Sequence, residues 1–224
     1  RRQRQMCIRD RMGTALKAAA AATAAAVAGA ATAIGALTTK AIEGYAAQEQ
    51  LVGGVETLFK TSSDTVVGYA NDAYKTAGMS ANEYMETVTS FSASLLASMN
   101  NDTAAAAEKA NVAITDMSDN ANKMGTDISL IQNAYNGFAK QNYTMLDNLK
   151  LGYGGTKEEM QRLLDDASKL SGIKYDISSY SDVVDAIHVV QTEMGITGTT
   201  AKEASTTIEG LSLIHISEPT RQAE

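Results

Sequence analysis

Stops and starts for helices alternate along this chain at short intervals, and that punctuation confines it to a helical fold. Gly78 is followed by Ser80 and Glu83, the Ser-x-x-Glu arrangement that satisfies free N–H groups at a helix start. Thr156 and Glu159 repeat the arrangement after Gly155, and Asp127 follows Gly125. Gly172 and Gly195 supply further stops, since glycine tolerates the positive φ of a helix C′ position. Between these marks apolar side chains recur every three or four residues. Tyr84, Val88, Phe91, Leu95 and Met99 form one stripe, and Ile128, Ile131, Tyr135 and Phe138 a second. Met160, Leu163, Leu164, Ala167 and Leu170 form a third, expected to face inward. Tyr180, Val183, Val184, Ile187 and Met194 mark a further helix. The predicted spans include 64–77, 103–123 (capped by Asn101-Asp102) and a last helix from Thr200 towards Gly210. No hairpin or alternating strand pattern interrupts them. The expected class is all-α: a long Ala-rich N-terminal helix followed by a compact module of about six or seven short capped helices.

The Ala-rich run extends from Leu16 to Leu37 without a charge between Lys17 and Lys40. Alanine is the strongest helix former, so a helix is expected there. It is long enough to cross a bilayer. Val27, Ile34 and Leu37 are nearly its only strongly apolar residues, however, which favours a soluble helix whose small side chains permit close packing. Membrane insertion of 18–39 is the alternative.

Both ends carry sequence of a different character. RRQRQMCIRD at Arg1–Asp10 and LSLIHISEPTR at Leu211–Arg221 resemble transposase-type sequencing adapters translated in frame. Such segments are set aside before fold reasoning. The expected organisation is therefore 1–11 foreign, 12–52 the long helix, 53–210 the helical module and 211–224 foreign, with the intervening part a piece of a longer protein. The only cysteine, Cys7, and the only proline, Pro219, fall in these ends, and so does His215. His188 is left as the one histidine, and cysteine-based zinc sites, disulfides and thiol catalysis have no residues to use. The net charge of −7 becomes −10 without the ends, and Arg162 is the only arginine between them. Phosphate recognition rests on Lys and Arg, so this balance argues against nucleic-acid binding. Aromatic residues are few, so the core is expected to be thin and the isolated segment modestly stable.

Candidate chemistry is sparse. Gly152-Tyr153-Gly154-Gly155-Thr156-Lys157 has glycines and a lysine, but not the Walker spacing or a preceding strand, so a turn before a capped helix is expected. His188 stands one turn after Asp185, which permits a His–carboxylate pair on one helix. Catalysis would also need a nucleophile with an oxyanion site, or a metal with several ligands. A partly exposed, hydrogen-bonded histidine is the expectation. Glu158-Glu159 and Asp165-Asp166 are expected on solvated faces. No catalytic, cofactor-binding or metal-binding residue is assigned, no cofactor is expected, and the chain is not expected to be an enzyme.

A set of longer strings is more specific. These are AIEGYAAQEQLVGGVETLF at Ala41–Phe59, AGMSANEYM at Ala77–Met85 and ITDMSDNANKMG at Ile114–Gly125. GFAKQNYTMLDNLKLGYGGT at Gly137–Thr156 and IHVVQTEMGITGTT at Ile187–Thr200 complete it. Together they closely resemble the tape measure proteins of long-tailed bacteriophages and prophages of Gram-positive hosts, over essentially all of 41–210. The resemblance implies a virion structural protein that lies in the tail tube lumen, sets tail length and leaves during genome ejection. It implies assembly in the host cytoplasm. The implied partners are other tape copies, the tail tube protein, tail-initiator or distal tail proteins, tail assembly chaperones and, as for some family members, the host membrane, with no sequence-specific nucleic-acid binding. Some family members carry wall-degrading domains elsewhere, the less favoured alternative. Punctuated helices fold back on one another, so 53–210 is expected to be a docking module rather than the rod-like ruler. Its apolar stripes, the segment Gln141–Thr156 and the Ala-rich helix are the expected contact surfaces.

Overall fold

The computed structural model of the protein describes residues 48–206. Both end segments, the Ala-rich run and the approach to Gly210 lie outside the described residues. Within them every regular element is helical. Residues 48–59 form α1, followed by a 3-10 turn at Lys60–Ser62 and then α2 (Ser63–Thr76), α3 (Ala81–Ser98), α4 (Thr103–Met124) and α5 (Ile128–Phe138). A second 3-10 turn at Leu146–Leu149 precedes α6 (Lys157–Ser171), α7 (Tyr180–Glu193) and α8 (Thr199–Ala204).

The helix boundaries fall where the side chains can satisfy them. Asp102 accepts hydrogen bonds from the N–H groups of Ala104 and Ala105, Asp127 from Ser129, and Ser179 from Asp182. Ser80 and Thr156 likewise accept from Glu83 and Glu159. The reciprocal arm of the Thr156–Glu159 arrangement reaches back beyond the cap. The Glu159 carboxylate passes over Thr156 and accepts from the N–H of Gly154 at 3.0 Å, tying down the preceding loop instead. Gly125 and Gly172 close α4 and α6 at φ of 62° and 74°, conformations that cost a side chain little only when there is none.

α4 is the central element and packs against α2, α3, α5, α7 and α8, while α6 lies on α7. Its N-terminal half meets its neighbours through Ala106, Ala107, Ala110 and Ala113, all with no exposed surface. Small side chains let helix axes approach closely. Around it the core gathers Phe59, Tyr84, Val88, Phe91, Leu95, Ile114, Met117, Ile131, Tyr135, Phe138, Leu163, Leu164 and Ile187. It is fuller than the aromatic content suggested, because nearly every large apolar side chain is used.

Four apolar positions depart from the predicted stripes, of which Ile128 is half-buried at the first residue of α5. Leu170 shares the azimuth of Leu163 on α6 but is half exposed, because residues 169–174 run beyond the cover of neighbouring helices. Met194 is exposed at the C-terminal cap of α7, and Met99 is half-buried at that of α3. The amphipathic pattern gives the facing of a residue; it does not give where a neighbour ends.

Candidate functional site

The second half of α4 reverses the usual rule for a central helix. Five consecutive residues, Asp116 to Asn120, are buried, and four of them are polar. Burying such groups is costly unless each finds a partner, and here each reaches a different element. Asp116 accepts from the Nδ1–H of His188 on α7, at 3.0 and 2.9 Å to its two oxygens. The Ser118 hydroxyl donates to the carbonyl of Ala77 at the end of α2, at 2.6 Å. Asp119 accepts from the backbone N–H of Gly198 at 2.6 Å and of Thr200 at 2.7 Å, anchoring the start of α8. The Asn120 amide donates to the carbonyl of Leu149 in the second 3-10 turn at 3.0 Å. One helical segment thus fastens four separate parts of the chain.

The sequence pairing of His188 with Asp185 is not what forms. Asp185 instead makes an ion pair with Lys109 of α4, and His188 turns to Asp116. The reason is burial. Asp116 is 1% exposed and has no other side-chain donor among the described residues, whereas Asp185 reaches solvent and a lysine. The hydrogen bond and charge of Asp116 hold the His188 imidazole above its ordinary value, with burial opposing, and burial pushes the Asp116 carboxyl up. His188 is 37% exposed, and it lines a groove of about 460 Å³ with Ile173, Lys174, Tyr175, Asp182, Asp185 and Val189. A carboxylate on Nδ1 orients an imidazole as a base, but a base acts on a nucleophile held within reach. Among the described residues His188 hydrogen-bonds to Asp116 alone, and the Tyr175 hydroxyl in the groove donates to Ser171.

The glycine-rich loop is held by side chains rather than shaped to cradle phosphate. The Arg162 guanidinium donates to the Gly152 carbonyl, pairs with Glu159 and lies over the Tyr153 ring at 4.6 Å. The Tyr153 hydroxyl donates to Asp166. Glu159 and Asp166 therefore have specific partners, and their carboxyls are held below their usual range, that of Glu159 by the Gly154 N–H and then Arg162, that of Asp166 by Lys169 and then Tyr153. A Cβ on Gly155 would fall 2.2 Å from the Thr144 carbonyl oxygen, so only glycine lets these two backbones pass.

The expected contact surfaces also change. The apolar stripes are spent in the module's own core, as are Tyr143, Leu146, Leu149 and Leu151 of the segment 141–156. That segment presents Asn142, Thr144, Asp147 and Lys150 outward. The large apolar side chains left exposed are Leu130, Leu170, Ile173 and Met194 among the described residues. The buried polar run of α4 was missed because polar residues on a helix ordinarily mark its solvent face. The available signal was the string Ile114–Gly125 itself, which has no charged side chain of positive sign until Lys123. No helix among the described residues is long and apolar enough to cross a membrane. No protein-family model, curated protein or solved structure matches this chain.

Proposed function

We propose that this chain is part of a tape measure protein of a long-tailed phage or prophage, and that its helical module acts by shape, as a docking body at one end of the ruler. One observation carries the reading: the strings that resemble the family are the same ones that knit the module together. Ile114–Gly125 supplies the buried polar run, and Gly137–Thr156, Ile187–Thr200 and Ala77–Met85 each contain or adjoin a group bonded to it. A sequence whose role is a defined solid shape places its distinctive residues at such joints. Tail-tube, tail-initiator and chaperone contacts, and a position in the tube lumen, belong to the same proposal.

The mechanism separates the module from the ruler. An extended helix advances about 1.5 Å per residue, so removing ruler sequence shortens a tail in proportion to the residues lost. A folded module contributes no such length. In-frame deletion of the codons for 53–206 in the parent phage is therefore expected to abolish tails, or to leave them without a proportional shortening, in electron micrographs. Infectious virions with ordinary tails would remove the proposal. Tails shortened by about 1.5 Å per deleted residue would place this segment in the ruler itself.

A further inference from the structure

The groups around Asp116 extend beyond its bond to His188. Tyr135 of α5 lies close enough to feel the Asp116 charge, with its hydroxyl wholly buried beside the Gln191 amide and near Tyr180. The Tyr135 hydroxyl, the Tyr180 hydroxyl and both polar atoms of the Gln191 side chain make no hydrogen bond among the described residues. His188 is where this buried polar cluster reaches the surface. The charged groups facing it are Asp116 and Lys109 from α4 and Asp185 from its own helix, with Lys174 and Asp182 along the groove and Asp119 behind Asp116. Lys109 and Asp185 neutralise one another. The charge balance of the seam is then set by His188 against Asp116.

We propose that the seam between α4 and α7 is a proton-operated latch, in which protonated His188 clamps the buried Asp116 and loss of that proton loosens α7 from α4.

A buried carboxylate is tolerated when an opposite charge and hydrogen bonds accompany it. The neutral imidazole can still donate its Nδ1–H, but the Coulomb attraction in a poorly solvated seam is gone. No other side chain among the described residues donates to Asp116 in its place. α6 packs mainly on α7, so the two helices loosen together, whereas α2 packs on α3, α4 and α8. Loosening exposes Val183, Val184 and Ile187, which are fully buried when the latch is closed. The inference depends on this seam alone, and it stands or falls apart from any role in a phage tail.

The test uses the full 224-residue chain. The imidazole proton of His188 is titrated by NMR, its resonance distinguished from that of His215 with the His188→Gln variant. Amide exchange is then followed by mass spectrometry at pH 6.0 and 8.5, after correction for the intrinsic rate. The expected midpoint lies above 6.5, the ordinary histidine value. Peptides of α6 and α7 are expected to exchange faster at pH 8.5, by about tenfold for each pH unit of that displacement, and those of α2 not to change. Asp116→Asn and His188→Gln are each expected to abolish the pH step, so one suffices where the other fails to fold. Lys109→Gln is expected to retain it. A midpoint at or below 6.5, a step shared equally by all helices, or a step that survives in either seam variant would overturn the latch.

Discussion

Asp119 sits on α4 with no exposed surface, at a position where an aliphatic side chain would have packed without any bond to satisfy. Its two oxygens instead hold the N–H groups of Gly198 and Thr200, which open α8. Helix-start donors lack partners within their own helix and need an acceptor from elsewhere. A hydrogen bond to a charged group is worth about 1.5–3 kcal/mol, and a buried donor stranded by mutation adds its desolvation cost. Asp119→Ala is therefore expected to destabilise the protein by about 3 kcal/mol or more, with Asp119→Asn intermediate because one acceptor oxygen remains. Asp165→Ala, at an exposed position, is expected to stay within about 0.5 kcal/mol of the parent. Urea denaturation followed by far-UV circular dichroism measures all three. Equal midpoints for Asp119→Ala and Asp165→Ala would show that Asp119 anchors nothing.

Elements were legible in the sequence wherever their signals were local. Ser80, Asp102, Asp127 and Thr156 each cap the helix they were expected to open, and Gly125 and Gly172 end the helices before them. These depend on a residue and neighbours within one turn. The 3-10 turn at Leu146–Leu149 was not legible, because it is fixed by two leucines entering the core and by the distant Asn120 amide. The Asp116–His188 pair was hidden for the same reason: its partners are 72 residues apart. Leu163 and Leu170 show how far periodicity carries. Both lie on one face of α6, yet one has no exposed surface and the other is half exposed. Leu163→Ala is expected to cost about 2–5 kcal/mol through lost burial and the cavity left behind. Leu170→Ala is expected to change stability by no more than about 0.5 kcal/mol. Thermal or urea unfolding of the two variants distinguishes them, and comparable losses would mean that the end of α6 is covered after all.

At the scale of the molecule, ionisation ties these parts to one stability profile. The Asp127, Glu159, Asp166 and Asp176 carboxyls are held below their ordinary values of 3.8 to 4.5 by hydrogen bonds from Ser129, Gly154, Lys169 and Ser178 respectively. A depressed carboxyl stabilises the fold above its unfolded value and ceases to as pH falls through its folded one. His188 has the opposite sign. Its raised value supports the fold fully below 6.5, and that support is lost as pH climbs through the folded value. Asp116, raised by burial, acts in the same direction, since the unfolded chain releases that proton first. Tyr84, Tyr135 and Tyr180 are pushed up by burial from 10.0, so unfolding is favoured once pH exceeds that figure. Stability is therefore expected to rise with pH through the carboxylate range, to peak on the acid side of neutral, to decline as His188 deprotonates and to fall steeply beyond pH 10. Unfolding free energies from urea titrations at one-unit intervals between pH 3 and 11 trace the curve. Asp116→Asn should remove the decline near neutrality, since it takes away both that carboxyl and the charge that raises His188, while the acid and alkaline limbs stay in place with the carboxyls and tyrosines elsewhere. A curve that keeps rising from pH 6 to 9 would require the seam charges to be arranged otherwise.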